Sequence, residues 1–235
     1  SGSSLPDKTV AFTSNYSDPD GWQNMQFLYF SVRDGAKTIY LCYGRTSNLL
    51  YLRNDANTAW LAPYAPGSSR VIENSFVKLN CAATKVSGSG KVFTATWSIT
   101  FKASSIGYKR TYLYVVDNIG ATNGGWVQKG AWTVTDNIAP TGTVIVNAGN
   151  QYATATAVTL TLSATDVGGN VSQMQFSNNN STWSAAQSYA ASKSWTLATG
   201  DGTKTVYVKY KDAAGNWSTS YSDTITLDTT APKVT

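Results

Sequence analysis

Apolar and polar residues alternate along much of the chain, which is the pattern of half-buried β-strands. In KVFTATWSITFK, residues 91 to 102, the apolar positions from Phe93 to Phe101 share one face and Thr or Ser residues share the other. The runs AVTLTLSATD, 157 to 166, and TKTVYVKYKD, 203 to 212, repeat the pattern. Turn clusters such as SDPDG, SGSG, NIGATNGG and DAAGN separate such runs. The pattern predicts an all-β protein of antiparallel sandwiches with essentially no helix.

Three segments of the first half of the chain recur with similar sequence in the second half, which indicates that one fold occurs twice. TDNIAPTGT, 135 to 143, returns as LDTTAPKVT, 227 to 235; SDPDGWQNMQF, 17 to 27, returns as TDVGGNVSQMQF, 165 to 176; and YLYVVDNIG returns as VYVKYKDAAG. We therefore predict two tandem immunoglobulin-like β-sandwiches, residues 1–135 and 136–235, the first enlarged by an insertion over about residues 45 to 95.

The shorter copy fits seven immunoglobulin-type strands. Strand A is expected near 143 to 147, B at 156 to 166, C at 172 to 177, F at 203 to 212 and G at 221 to 228. In such a sandwich the B–C and F–G turns lie at the same pole. Asp166 and Asp212 should therefore be neighbours, as should Asp18 and Asp117 in the first copy. The linker is expected to enter the second copy at that pole with Asp136.

The Asp-x-x-Ala-Pro linker, the SATD-to-MQF strand pair and the YKDAAGNWS turn resemble the bacterial immunoglobulin-like modules, also called cadherin-like, of large secreted or cell-surface proteins. The resemblance covers residues 136–235 well and residues 1–135 more loosely. It implies a non-catalytic, extracellular part of a repeat array whose partners include neighbouring modules of the same chain. It does not imply a ligand.

Composition bounds the function further. The chain has 18 Lys and Arg, 13 Asp and Glu and no His, so imidazole-dependent catalysis is excluded and we expect no enzyme. Residues 1–136 carry 13 basic and 8 acidic groups, but the basic residues are scattered along the sequence. Scattered charges favour a solvated surface over binding to nucleic acid or an anionic glycan. No apolar run reaches the ~18 residues of a membrane span.

Two cysteines, Cys42 and Cys81, lie in the strand-like runs KTIYLCYG and SFVKLNC. The absence of metal-type spacing favours a Cys42–Cys81 disulfide, which would indicate an oxidising compartment. Two buried thiols are the alternative.

Aspartates in the turns are candidate ligands for a hard cation such as Ca²⁺, which prefers carboxylate and carbonyl oxygens. Asn137, which follows Asp136 in the linker, could add an amide oxygen. The alternative is that each aspartate caps its own turn. The candidate metal ligands are Asp136, Asp166 and Asp212 for the second copy, and Asp18, Asp20 and Asp117 for the first.

Aromatic residues in loops are candidates for carbohydrate contact, because sugar rings stack on exposed Trp and Tyr. Trp22 and Trp126 flank the predicted B–C and F–G turns, and Trp60 and Tyr64 lie in RNDANTAWLAPYAPGSS, an expected loop excursion. The alternative is that these rings cover a sheet edge or fill the insertion.

The sequence thus predicts an extracellular structural or adhesive module of a larger bacterial surface or secreted repeat protein, with a glycan or cell-surface partner. A carbohydrate-binding appendage of a polysaccharide-active enzyme is the alternative. The opening SGSS is interpreted as a tag remnant or a cut within a longer chain.

Overall fold

The structure is a computed structural model that describes residues 1–233. Val234 and Thr235, the end of the second predicted linker, lie outside the described residues. The chain divides into two compact units, residues 1–136 and residues 137 onward. Each unit has its own cluster of buried apolar side chains.

The first unit contains eleven strands and two single-turn 3-10 helices, Trp22–Asn24 and Ala103–Ser105. The strands are β1 Gly2–Ser4, β2 Thr9–Ser17, β3 Met25–Arg33, β4 Thr38–Gly44, β5 Leu49–Leu52, β6 Val71–Glu73, β7 Val77–Asn80, β8 Lys85–Ser89, β9 Val92–Phe101, β10 Gly107–Asp117 and β11 Val127–Val134.

These strands form two sheets. One has the order β1-β11-β10-β3-β4-β5, and the other has the order β2-β9-β7-β6 with β8 also paired to β9. The core lies between them because the apolar sides of both sheets face inward: Leu28 and Leu41 come from the first sheet, and Trp97 and Ile99 from the second. Trp97 is fully buried and donates its ring N–H to Ser14 Oγ at 2.9 Å, so its one polar group is satisfied.

The second unit is a smaller sandwich of two sheets, β12-β14-β17 and β13-β19-β18-β15-β16. Its strands are β12 Thr141–Val146, β13 Tyr152–Ala153, β14 Ala157–Thr165, β15 Val171–Ser177, β16 Gln187–Ser188, β17 Ser192–Thr196, β18 Gly202–Asp212 and β19 Tyr221–Leu227, with one 3-10 turn at Asn147–Gly149. The predicted strands A, B, C, F and G correspond to β12, β14, β15, β18 and β19. The all-β, tandem-sandwich fold is therefore confirmed.

The opening SGSS takes part in the fold. Gly2–Ser4 forms β1, which pairs in parallel with β11 so that Gly2 lies opposite Trp132. Trp132 donates its ring N–H to Ser4 Oγ at 3.1 Å. The sequence of these small, polar residues does not predict a strand. They form one because the edge of β11 offers unpaired backbone groups.

The predicted Cys42–Cys81 disulfide is not formed: both cysteines are free and buried. Cys81 belongs to the core between the sheets. On β4, Leu41 and Tyr43 belong to that core, so Cys42 between them points to the opposite face. The thiols therefore lie on opposite sides of the sheet that carries Cys42.

Candidate functional site: an aromatic groove on the first unit

The outward face of the sheet β11-β10-β3-β4-β5 carries a row of aromatic side chains. Strand register places Tyr51 opposite Cys42, Cys42 opposite Tyr29, and Tyr29 opposite Tyr114. Directly opposite residues on one face have Cβ atoms about 5 Å apart, which brings neighbouring rings into contact. The rings of Tyr29 and Tyr114 lie 5.5 Å apart between centroids.

A second row runs parallel to the first. Tyr40, Ser31 and Tyr112 are aligned across β4, β3 and β10. Arg33, two residues along β3, donates from Nε to Ser31 Oγ at 2.9 Å. Alternation along each strand thus places aromatic and basic side chains, with Ser31 and Cys42 among them, on the side of the sheet away from the core.

Trp126 reaches this face from the β10–β11 loop. Gly124 and Gly125 have φ values of 81° and 135°, which only glycine adopts readily, and they turn the chain back over the sheet. Asn123 holds the loop, because its Oδ1 accepts from the Val115 N–H at 3.0 Å and its Nδ2 donates to Gly125 O at 2.7 Å. The Trp126 ring lies 5.3 Å from Tyr114 and 5.5 Å from Tyr40.

Trp60 reaches the same face from the loop after β5. Asn54 Oδ1 accepts from the Thr58 and Ala59 N–H groups, which closes the loop, and an isolated bridge pairs Trp60 with Arg53. The Trp60 ring lies 5.9 Å from Tyr51 and 6.3 Å from Tyr29.

Between the two tryptophans lies an open groove of about 370 Å³. We call it the aromatic groove; Tyr29, Tyr40, Arg53, Asn57, Trp60 and Trp126 line it. This volume is within the range of ligand-binding clefts.

Both tryptophans of the groove are stacked on guanidinium groups. Arg53 lies 4.2 Å from the Trp60 ring centroid, and Arg33 lies 4.4 Å from that of Trp126. Arg33 also faces Tyr112 at 4.5 Å and Tyr40 at 5.4 Å. Such stacking holds the aromatic and guanidinium planes in fixed positions.

The floor of the groove is uncharged. Burial raises the pKa of the Tyr29 hydroxyl above its usual range, and the adjacent Cys42 raises it further. Burial likewise raises the pKa of the Cys42 thiol to about 12, against smaller lowering effects of Tyr29 and Arg53. Both groups remain protonated at neutral pH, so the positive charge of the arginines is not offset from below.

The structure brings Trp60 and Trp126 together, although they are far apart in the sequence. It does not bring Trp22 or Tyr64 to the groove. Trp22 packs on Phe93 of the core at 5.6 Å between centroids, and Tyr64 pairs with Leu50 through backbone hydrogen bonds and packs against the same core. Position in a loop does not determine toward which side of the sandwich a side chain points.

Two of the three predicted metal ligands of the first unit, Asp18 and Asp117, bond their own turns. Asp18 accepts from the Asp20 N–H at 2.8 Å, and Asp117 accepts from the N–H groups of Ile119 and Ala121. Asp18 and Asp117 line one shallow depression, as expected for neighbouring B–C and F–G turns. Asp20 is exposed.

In the second unit, Asp166 and Asp212 approach each other, with carboxylate oxygens within 4.8 Å. Asp212 is 1% exposed and accepts from the N–H groups of Gly215 and Asn216. Asp166 Oδ2 accepts from the Gly168 N–H at 2.8 Å. Asp136 is the last residue of the first unit. Calcium binding stays a prediction.

Sequence reasoning missed five tyrosines of this face, namely Tyr29, Tyr40, Tyr51, Tyr112 and Tyr114. The signal was present: in MQFLYFSVR, 25 to 33, Leu28, Phe30 and Val32 share the apolar face, so Tyr29 and Arg33 must share the other. Which strands lie side by side could not be obtained from that alternation.

None of the helices in residues 1–233 has the length and apolar character of a bilayer span. No protein-family model matches the chain, and no curated protein matches it in sequence.

Several solved structures resemble the chain distantly. The PKD1 domain of Vibrio anguillarum Epp is 18% identical, with 40% of this chain and 98% of that chain covered and a TM-score of 0.31. The fibronectin(III)-like modules of Clostridium thermocellum CbhA are 13% identical over 96% and 87%, with a TM-score of 0.33. The ectodomain of mouse nectin-like molecule 4 is 10% identical over 96% of each chain, with a TM-score of 0.35. At these values the likenesses identify neither a family nor a function.

Proposed function

We propose that the chain is a non-catalytic, extracellular adhesive module whose first unit binds carbohydrate in the aromatic groove. The observation that carries the proposal is the groove itself: four aromatic residues from two strands and two loops line one open cleft on an outward sheet face. A merely structural sandwich has no need of such a surface, because outward positions are normally polar.

The chemistry of the groove suits a sugar chain. Pyranose rings have apolar C–H faces that stack on Trp and Tyr, and their hydroxyls need polar partners at the rim. Asn57 provides one: its Nδ2 donates to Thr38 O at 3.0 Å, while its buried Oδ1 has no hydrogen-bond partner in the protein. A side-chain rotation that uncovers this oxygen would let it accept from a ligand hydroxyl, which would satisfy it.

A glycan array on the full chain, followed by calorimetry on the best ligand, tests the proposal. Trp126→Ala and Trp60→Ala should each weaken binding by about 5- to 150-fold, since stacking on an aromatic side chain is worth about 1 to 3 kcal/mol for nucleic-acid bases. Trp183→Ala is the matched control, because that ring lies in the second unit under Lys209. The proposal would be refuted if Trp126→Ala and Trp60→Ala both bound the ligand as tightly as the wild type and melted at the same temperature.

Calcium binding beside Asp166 and Asp212 is a second proposal. Two carboxylates within 4.8 Å repel each other, and a bound cation would offset that repulsion. Asp166 Oδ1 is buried and has no hydrogen-bond partner in the protein. We expect calcium to raise the melting temperature of the second unit relative to chelator, and Asp166→Asn to abolish the rise. Identical melting curves in the two buffers would contradict it.

A further inference from the structure

We infer that the aromatic groove selects an acidic carbohydrate, a chain of uronic-acid type whose carboxylates bind the arginines of the groove. This inference rests on the proposed function and names the ligand class of the same site. The sequence alone favoured a solvated surface over an anionic ligand, because its basic residues, Arg33, Arg53 and Arg110 among them, are scattered along the chain. Folding gathers them on one face.

The first observation is uncompensated positive charge. Among the described residues, those lining the aromatic groove include Arg53 and no carboxylate, and Arg33 stacks on two of the lining rings. The salt bridges formed within residues 1–233 are Lys102–Glu73 and Lys109–Asp34, so neither groove arginine has a carboxylate partner there. Charge complementarity therefore calls for an anion.

The second observation is a like-charge pair. Arg110 on β10 lies directly opposite Arg33 on β3, and both side chains point to the outward face. Like charges in directly opposite positions destabilise a sheet. The two arginines line an adjoining depression of about 350 Å³ with Tyr112 and Asp34. Asp34 does not offset them, because its carboxylate accepts from Lys109 Nζ at 2.8 Å.

The third observation is an unused donor. Arg33 Nη2 is buried and has no hydrogen-bond partner in the protein, although Nε of the same group donates to Ser31. A guanidinium presents donors in a fork that matches a carboxylate. A side-chain movement that uncovers Nη2 would let it donate to the carboxylate of a sugar stacked on Trp126.

The same features exclude a cationic ligand. One face of the Trp60 ring and one face of the Trp126 ring carry a guanidinium group, whose charge would repel an ammonium that approaches either ring. An aromatic cage that binds a cation presents ring faces free of other positive charges.

The experiment is calorimetry on the full chain with oligogalacturonate and oligomannuronate, each compared with its own methyl ester. The ester keeps the rings and removes the charge. We expect the acid form to bind about tenfold more tightly than the ester, or better, at low salt, and the advantage to shrink as salt is added.

Variants assign the effect to residues. Arg33→Gln and, as a second variant, Arg53→Gln should bring the acid-to-ester affinity ratio towards one. The ratio is the readout because any loss of tryptophan positioning in these variants weakens acid and ester alike. Arg70→Gln is the matched control, because that arginine stacks on Tyr64 away from the groove. Its ratio should equal that of the wild type. Melting curves establish that each variant is folded.

Three outcomes would overturn the inference. Equal binding of acid and ester, or binding of neutral glycans alone, would refute the acidic ligand while the carbohydrate proposal stands. Tighter binding of a single-stranded oligonucleotide, lost in the same arginine variants, would replace the sugar with a nucleic acid. Absence of binding to any carbohydrate would refute both proposals.

Discussion

At the scale of single residues, the side of the sheet on which a side chain lies decides its chemistry. Cys42 and Tyr43 are adjacent, yet Tyr43 lies in the core and Cys42 lies under the aromatic groove beside Tyr29. The same alternation makes Tyr29 part of a surface while Leu28 and Phe30 fill the interior. A strand therefore contributes to stability with one half of its residues and to recognition with the other half.

The two thiols should remain reduced and unreactive in the folded protein. Burial raises the pKa of Cys42 to about 12 and also raises that of Cys81, so the reactive thiolate is scarce at neutral pH. We expect slow labelling by a thiol reagent in buffer and two labelled thiols in denaturant. Reductant should leave the melting temperature unchanged.

A disulfide would give the opposite results. The melting temperature would shift on reduction, and neither cysteine would be labelled in denaturant without reductant. Cys42→Ser serves as the control, because it leaves Cys81 as the single thiol that can react.

At the scale of elements, an ion pair ties the β3–β4 turn to β10. Lys109 lies on the core side of β10 with its side chain 2% exposed, and its Nζ donates to Asp34 Oδ2 at 2.8 Å. Burial alone would raise the pKa of Asp34, but the Lys109 ammonium and the N–H groups of Lys37 and Ala36 outweigh it and hold that pKa below its usual value. A buried ammonium without this partner would be costly.

This pair should make the first unit sensitive to acid. Because the folded-state pKa of Asp34 is depressed, its contribution is present above the unfolded pKa of about 3.9 and is lost as the pH falls through the folded value. Asp34→Asn should destabilise the unit by about 1 to 3 kcal/mol at neutral pH, less than for a fully buried pair since Asp34 is partly exposed.

Urea unfolding at several pH values measures this effect, and the variant should lose part of the acid dependence. Glu73→Gln is the control, because Glu73 pairs with Lys102 at the surface and should change stability little. Equal acid dependence in Asp34→Asn and the wild type would contradict the assignment.

Close packing between β12 and β18 makes Gly142 sensitive to substitution. A Cβ added there would lie 2.6 Å from the backbone oxygen of Ser163 and 2.5 Å from the Tyr210 ring. Tyr210 is fully buried and donates its hydroxyl to Thr143 O at 2.6 Å, so it cannot easily move. Gly142→Ala should therefore destabilise the second unit by about 1 to 3 kcal/mol.

Differential scanning calorimetry of Gly142→Ala tests this, with Ile145→Ala on the same strand as control. Ile145 is 42% exposed, so its truncation should cost much less. If Gly142→Ala left the melting temperature of the second unit unchanged, β12 and the Tyr210 ring could move apart without loss of stability.

At the scale of the whole molecule, the chain consists of two sandwiches with separate cores. The buried cluster of the first unit draws on residues from Tyr16 to Val134, and that of the second draws on residues from Val144 to Leu227. A domain of about 100 residues buries enough surface to fold alone.

Residues 1–136 and 137–235, expressed separately, should each unfold in one cooperative transition. Each melting temperature should match one transition of the full chain, and carbohydrate binding should remain with residues 1–136. Circular dichroism and calorimetry measure this, and a fragment 137–235 without a transition would contradict independent folding.

The sequence by itself determined the fold class and the two-copy organisation. Period-two alternation and Gly- or Asn-rich turns are local properties, so the strands β12, β14, β15, β18 and β19 could be placed within a few residues. It also marked Trp60 and Trp126 as loop aromatics. It could not indicate that these two rings face the same cleft.

Only the tertiary structure decided the groove and the state of the cysteines. Tyr29, Tyr40 and Tyr114 become neighbours because β4, β3 and β10 lie side by side in one register, although β10 is far from β3 in the sequence. Pairing partners and register arise from long-range packing of the whole sandwich. The scattered arginines form one basic face for that reason, and the two cysteines are kept apart by it.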